Sequence, residues 1–486
     1  MRLMKGGSAA GTALLGLLLL AACGTGRQEP PAQTPFVRTA LVLYGSFGRS
    51  HPGDCFPLSE AERFHLLETG PDNHSTTRWC EVRANRGLHA FQELKRRSPG
   101  MRILLYYMGP GQLIVSRFDR LSQEEWSWIK AHHGRGSGDR WAALGASTGE
   151  YLRALPYPVE RAMHLGNPNW QAHWLRTRYE RAWVRQEGGH DGRHSDGIFL
   201  DGMQYGVSWQ NGWRLEGCFD EASWQWSCST QDHPDPYYDP STGRYRNELW
   251  QQHYGEFLRR AVPYFRERGL ELGLNAWRIA HPAQIALYEE LGLLAMEECG
   301  FLCWRVPEVR EWEEKLRVMA QAQNYRILSV NAAPGSADVP EPNPSEGLAR
   351  MDRSYQGRTG WQWLWFALGS YWLAHAPERG NAYFLFTLWN FRDQYWFEEY
   401  DPARLHLGRP LGPAVRAEAG LWWRPFERGF VAVNANRDPR TLRVAGGGRA
   451  RLLAHENFRT PQAAPPVNLD AGVELAGYQG AVLLGE

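Results

Sequence analysis

Between Asp196 and Gly202 the chain reads Asp-Gly-Ile-Phe-Leu-Asp-Gly. Ile198, Phe199 and Leu200 form an unbroken apolar run, the pattern of a parallel strand covered on both faces, and Asp201 ends it. A second apolar run, from Leu293, ends in the adjacent pair Glu297 and Glu298. Two carboxyl groups facing one cleft can protonate a glycosidic oxygen and supply a nucleophile, or a base for water, on the other side. Strand residues alternate between faces, so only one of Glu297 and Glu298 can point inward. Leu294 and Met296 share a face with Glu298, which makes Glu298 the expected acid and Glu297 the second choice. Asp201 is the expected nucleophile or base, whereas Asp196 precedes its strand and reads as structural.

Other run ends carry amides and aromatics: Tyr107, Asn167, Asn275, Trp277, Asn331, Trp389 and Asn390. Amides can hydrogen-bond sugar hydroxyls and aromatic faces can stack on sugar rings, so these residues are expected to line substrate subsites. Most of the 23 Trp must nevertheless be packing. Ser329 has no Gly-x-Ser-x-Gly setting, which argues against a serine-hydrolase elbow. No paired Cys/His ligand spacing indicates zinc, and paired-carboxylate chemistry requires no metal or organic cofactor.

Positioning these residues requires strand–helix alternation. Strands are expected at Ala40 to Tyr44, Arg102 to Tyr107, Ala162 to Leu165, Ile198 to Asp201, Leu272 to Trp277, Leu293 to Glu298, Arg326 to Asn331 and Ala382 to Trp389, with amphipathic or apolar helices between them. Eight such units predict an α/β fold, a (β/α)₈ barrel over residues 38–405, whose C-terminal strand ends form the site. A doubly wound nucleotide-binding sheet would also alternate, but no Gly-x-Gly-x-x-Gly or P-loop follows the first strand. Residues 406–486 change to short strands between turns and predict a C-terminal all-β sandwich.

Arg2 and Lys5, the apolar run Ala13 to Leu20, and Leu20-Ala21-Ala22-Cys23 look like a bacterial lipoprotein signal. Residues 1–22 are expected to be removed, Cys23 to be lipidated, and residues 23–37 to form a flexible tether. This places the protein in the cell envelope, held by its lipid and facing the periplasm or exterior. A net charge of +1, with no basic run, argues against a nucleic-acid partner. Without Cys23, six of the seven cysteines remain. Their spacing suggests Cys55 with Cys80, Cys218 with Cys228, and Cys299 with Cys303, as suits an oxidising compartment.

Several stretches resemble, in order, the TIM-barrel glycoside hydrolases grouped as hypothetical glycosyl hydrolase family 15, and more distantly the endo-α-1,4-polygalactosaminidase-like barrels. They are Arg-Ile-Leu-Leu-Tyr-Tyr (102–107), Gly-Asn-Pro-Asn-Trp (166–170), the Asp196–Gly202 stretch, Met-Glu-Glu (296–298), Ala-Tyr-Phe-Leu-Phe (382–386), Leu-Gly-Arg-Pro-Leu-Gly (407–412) and Arg-Pro-Phe-Glu-Arg-Gly-Phe-Val-Ala-Val-Asn (424–434). The resemblance implies a barrel, a polysaccharide substrate, and working carboxylates at Asp201 and at Glu298 or Glu297. It departs in the cysteine-bearing insertion after Asp201 and in the lipoprotein signal. The alternative is a non-catalytic glycan-binding or envelope-structural lipoprotein on the same scaffold; a carbohydrate esterase would usually need a His/Asp metal cluster.

Overall fold

A computed structural model describes residues 37–43, 55–116, 119–155, 157–206, 212–322, 324–336, 344–375, 382–388, 394–401, 405 and 407–486. Cys23, Tyr44, Trp389 and Asn390 lie outside the described residues. Eight parallel strands form a (β/α)₈ TIM barrel: β1 Ala40–Leu43, β2 Leu66–Thr69, β3 Arg102–Met108, β4 Gly197–Asp201, β5 Glu271–Asn275, β6 Leu294–Glu297, β7 Arg326–Ala332 and β8 Ala382–Thr387. The sheet closes through a parallel bridge between Thr39 and Phe384, where the Phe384 N–H donates to the Arg38 carbonyl at 2.8 Å. The middles of its strands are largely apolar, as both-face burial requires, and most of their charged residues sit at the ends.

One set of alternating residues fills the interior: Val42, Leu66, Leu104, Phe199, Leu294, Met296, Leu328, Val330 and Leu385 among them. The opposite set, including Leu67, Leu105, Leu200, Leu274 and Ile327, packs outward under the helices. Gly273 belongs to the interior because nothing larger fits there: a Cβ would lie 2.9 Å from Phe199 and 3.1 Å from Leu104.

Two of the expected barrel strands need correction. The second strand is Leu66–Thr69, inside what reads as the long loop stapled by Cys55–Cys80. The Ala162 segment is not in the barrel. Glu160–Ala162 joins an antiparallel five-stranded sheet with Gln112–Ile114, Leu152–Ala154, Trp213–Leu215 and Gln231–Asp232. That sheet is assembled from the excursions after β3 and β4, and it carries its own small core of Ala143, Leu152, Ala154, Ala162 and Trp213. Leu66–Thr69 takes the place of the Ala162 segment among the eight strands, and β4 is fourth in either order.

The long helices of the barrel are α1 Ala90–Arg97, α2 Arg120–His133, α3 Pro168–Tyr179, α4 Asn247–Arg266, α5 Pro282–Leu291, α6 Val309–Gln321 and α7 Gly360–Ala374. α7 is buried almost throughout because it has neighbours on both sides. Beyond it lies a six-stranded antiparallel sheet spanning Val415 to Gly485, faced on its other side by a ribbon of Arg440–Leu442 and Val473–Leu475. The approach is close enough to require glycine. A Cβ on Gly480 would overlap the Trp365 carbonyl oxygen at 2.1 Å, and one on Gly369 would meet Val433 at 3.0 Å. All three disulfides form as their spacing suggests. Among the described residues, no helix is long and apolar enough to cross a membrane.

Candidate active site

Strand alternation carries the interior stripe upward to a ring of polar groups at the C-terminal end. Leu66 is followed on the same face by Glu68, Leu104 by Tyr106, Phe199 by Asp201, Gly273 by Asn275, and Met296 by Glu298. These side chains meet. Asp201 Oδ2 accepts from the Tyr106 hydroxyl at 2.7 Å, and Oδ1 accepts from the Asn275 amide at 3.0 Å and from the Gly202 N–H at 2.7 Å. Asn275 Nδ2 also donates to Glu298 Oε2 at 2.8 Å. The orientation of that amide is fixed from behind, since Asn275 Oδ1 accepts the Trp277 N–H at 2.8 Å. The NH₂ group must therefore face the two carboxyls.

One nitrogen thus touches both acids. Acceptors at 3.0 and 2.8 Å from it are no more than about 6 Å apart, and about 5 Å when each takes one of the two N–H groups. Burial pushes the Glu298 carboxyl up to about 8; the Asn275 hydrogen bond opposes this, and the charges of Asp201 and Glu297 add to it. Glu298 nevertheless keeps part of its surface open, as does Asp201. The two side chains have unlike surroundings: burial favours the neutral form of Glu298, whereas Asp201 accepts three hydrogen bonds.

Two further acids were not anticipated. Glu68 on β2 is fully buried, neither carboxyl oxygen has a hydrogen-bond partner among the described residues, and its carboxyl is held well above the usual range by burial first, then by the charges of Asp201 and Glu298. Glu160, on the antiparallel sheet, is pushed up to about 8 by burial and by the Asp201 charge. Among the described residues, no cationic side chain offsets the burial of Glu68, Glu160 or Glu298. Tyr157 is an exposed aromatic nearby: the residue is 61% exposed, and its hydroxyl is pushed up by burial first, then by the charges of Glu160, Asp201 and Glu298. The strand that carries Glu68 reads as loop in the sequence, with only two apolar residues in four. Glu160 and Tyr157 have no sequence signal, since an excursion brings them to the site.

The other expected residues divide sharply. Glu297 is turned outward beneath α6, where its carboxylate meets Lys315 and the Ile279 N–H; it is a structural ion pair, and Glu298 alone reaches the interior. Trp277 does border the site. It is 42% exposed, its carbonyl accepts the Glu298 N–H at 3.1 Å, and its φ of 59° is a left-handed value that bulky residues seldom adopt. Tyr107 instead faces outward and bonds His190 at 2.8 Å. Asn167 caps α3, accepting the Asn169 and Trp170 N–H groups at 2.9 and 3.0 Å. Asn331 is fully buried and outward; its Oδ1 holds the Phe301 and Leu302 N–H groups, within the loop that Cys299–Cys303 closes after Glu298. None of these three is placed to touch a substrate in the barrel mouth.

A family model described as hypothetical glycosyl hydrolase family 15 matches residues 95–430. Among solved structures, the chain is similar to Amy13B of Eubacterium rectale, with 10% identity, 93% of this chain and 96% of that chain covered, and a TM-score of 0.50. It is also similar to a GH27 β-L-arabinopyranosidase from Geobacillus stearothermophilus, with 11% identity, 94% and 97% covered, and a TM-score of 0.46. At 10% identity the likeness to Amy13B is one of fold. None of the curated proteins matches the chain.

Proposed function

The chain belongs to hypothetical glycosyl hydrolase family 15, and from that premise we propose that it is an exported, lipid-anchored glycoside hydrolase acting on a polysaccharide with retention of configuration. Asp201 is the nucleophile and Glu298 the acid/base. The observation that carries this reading is the Asn275 amide shared between them at 3.0 and 2.8 Å. The two carboxyl oxygens that share this amide can be no more than about 6 Å apart, nearer the roughly 5–5.5 Å spacing of double displacement than the roughly 6.5–9.5 Å that single displacement needs to admit a water.

In the first step Glu298 gives its proton to the leaving glycosidic oxygen while Asp201 attacks the anomeric carbon, forming a glycosyl ester. In the second, Glu298, now a carboxylate, takes a proton from water as that water displaces Asp201. The neutral form that burial imposes on Glu298 up to about pH 8 is the form the first step consumes. Tyr106 and Asn275 hold Asp201 in place for attack. Trp277 and Tyr157, both exposed, offer ring faces to sugars entering the mouth.

The test is reducing-end release from a panel of bacterial exopolysaccharides and wall glycans. Asp201→Asn and Glu298→Gln should each lower it by at least about 10³-fold with the fold unchanged, and proton NMR of the first-formed product should show the anomer of the substrate. Undiminished release in both variants would remove the catalytic assignment. Binding without cleavage by the unaltered protein would favour a glycan-binding lipoprotein.

A further inference from the structure

Away from the barrel mouth, three ligand-type side chains converge. His74, in the turn after β2, His89, capping α1, and Asp191, in the segment leading to β4, present atoms within 4.8 Å of one another. His74 Nδ1 lies 3.2 Å from the Pro71 carbonyl, an arrangement that puts the proton on Nδ1 and leaves the Nε2 lone pair outward. His89 Nε2 stands 3.3 Å from Asp191 Oδ2. The His74 and His89 rings stack with centroids 4.8 Å apart, and the ring of His194 lies 5.2 Å from that of His89. Phe91 packs edge-on against both of the stacked rings, giving the cluster an apolar wall.

We propose that His74, His89 and Asp191 bind one divalent transition ion of the zinc class, with His194 completing a four-ligand structural site. Imidazole and carboxylate donors suit such ions, and four protein ligands close the coordination shell. Two contacts must yield. Arg193 grips Asp191 through Nε and Nη2, but its side chain is 57% exposed and can swing away from one carboxylate edge. His89 Nδ1 must take the proton and give up its long contact, 3.3 Å, from the Gln92 N–H.

The ion would join two segments that already touch, since the Asp191 N–H donates to the Pro71 carbonyl at 3.2 Å. It would thereby clamp the top of β2, which carries Glu68, to the segment that enters β4, which carries Asp201. The site asks nothing of the glycosidase reading and stands or falls separately.

The experiment takes the untagged mature chain, strips it with chelator, and titrates it with zinc chloride by calorimetry while following thermal unfolding. One equivalent should bind and raise the unfolding temperature. His89→Ala and Asp191→Asn should weaken binding by about 100-fold or more, and Arg193→Gln should tighten it by removing the competing guanidinium. His132→Ala, on the surface of α2, should leave binding unchanged. Circular dichroism identifies any variant that fails to fold, and Arg193→Gln then provides the discriminating measurement. Absence of zinc binding, or equal affinity in the unaltered protein, His89→Ala and Arg193→Gln, would overturn the proposal.

Discussion

At the scale of the residue, one amide organises the chemistry. Asn275 spends its oxygen on the Trp277 N–H and its nitrogen on two acids, so it sets their spacing and fixes the turn beside them. The protonation of Glu298 gives this arrangement a pH signature. Its folded value, about 8, lies above the ordinary carboxyl range because burial disfavours the charge. The acid is therefore present below about pH 8 and lost above it. Turnover should fall about tenfold per pH unit on the alkaline side of that value. The limb should disappear from the first step with a dinitrophenyl glycoside, whose leaving group needs no proton. Glu298→Gln should likewise spare that first step while abolishing cleavage of the natural glycan. An alkaline limb that persists with the dinitrophenyl substrate in Glu298→Gln would assign it to another group, of which Glu160, also near 8, is the first to examine.

At the scale of the element, what could be read in the sequence depended on how completely a strand announces itself. β4 and β6 are continuous apolar runs with an acid at the end, so Asp201 and Glu298 were legible, and alternation separated Glu298 from Glu297. The same alternation, applied to β3 and β7, would have turned Tyr107 and Asn331 outward, because Leu104, Leu328 and Val330 occupy the interior phase. β2 is the harder case. Four residues, Leu-Leu-Glu-Thr, buried throughout and set between a disulfide's two cysteines, carry no strand-length apolar run. Its acid is costly. Glu68 is buried with no partner among the described residues, and an unsatisfied buried group of this kind costs about 1–3 kcal/mol. Its folded value is raised above its unfolded one, so the folded state keeps a proton that the unfolded chain sheds above about pH 4.5, and the penalty grows with pH across that window. Glu68→Leu should accordingly stabilise the protein by about 1–3 kcal/mol at pH 4 and by more at pH 7.5, measured by denaturant unfolding. A destabilised Glu68→Leu at pH 7.5 would mean that the carboxyl has a partner supporting the fold.

At the scale of the whole molecule, the barrel and the C-terminal sheet share α7 as a common core, with glycine required at two points of contact. The two architectures are therefore built against each other, and residues 35–486 cluster as one compact unit. Its three disulfides need oxidising conditions to form and persist, which agrees with the proposed export. The proposed attachment at Cys23 then determines where this unit works. Only 16 residues separate Cys23 from the first barrel strand, which begins at Ala40, a reach of at most roughly 60 Å, so the proposed accessible substrate is glycan close to that membrane. Lipid chains at a single terminal cysteine are separable from folding, because each contributes membrane affinity through its own buried methylenes. Cys23→Ala should move the protein from the membrane fraction to the soluble fraction and remove incorporation of labelled palmitate. Unfolding temperature and cleavage of soluble glycan should be unchanged. Continued membrane association of Cys23→Ala, with no label in the unaltered protein, would point to retention by the apolar run Ala13 to Leu20 instead of by lipid.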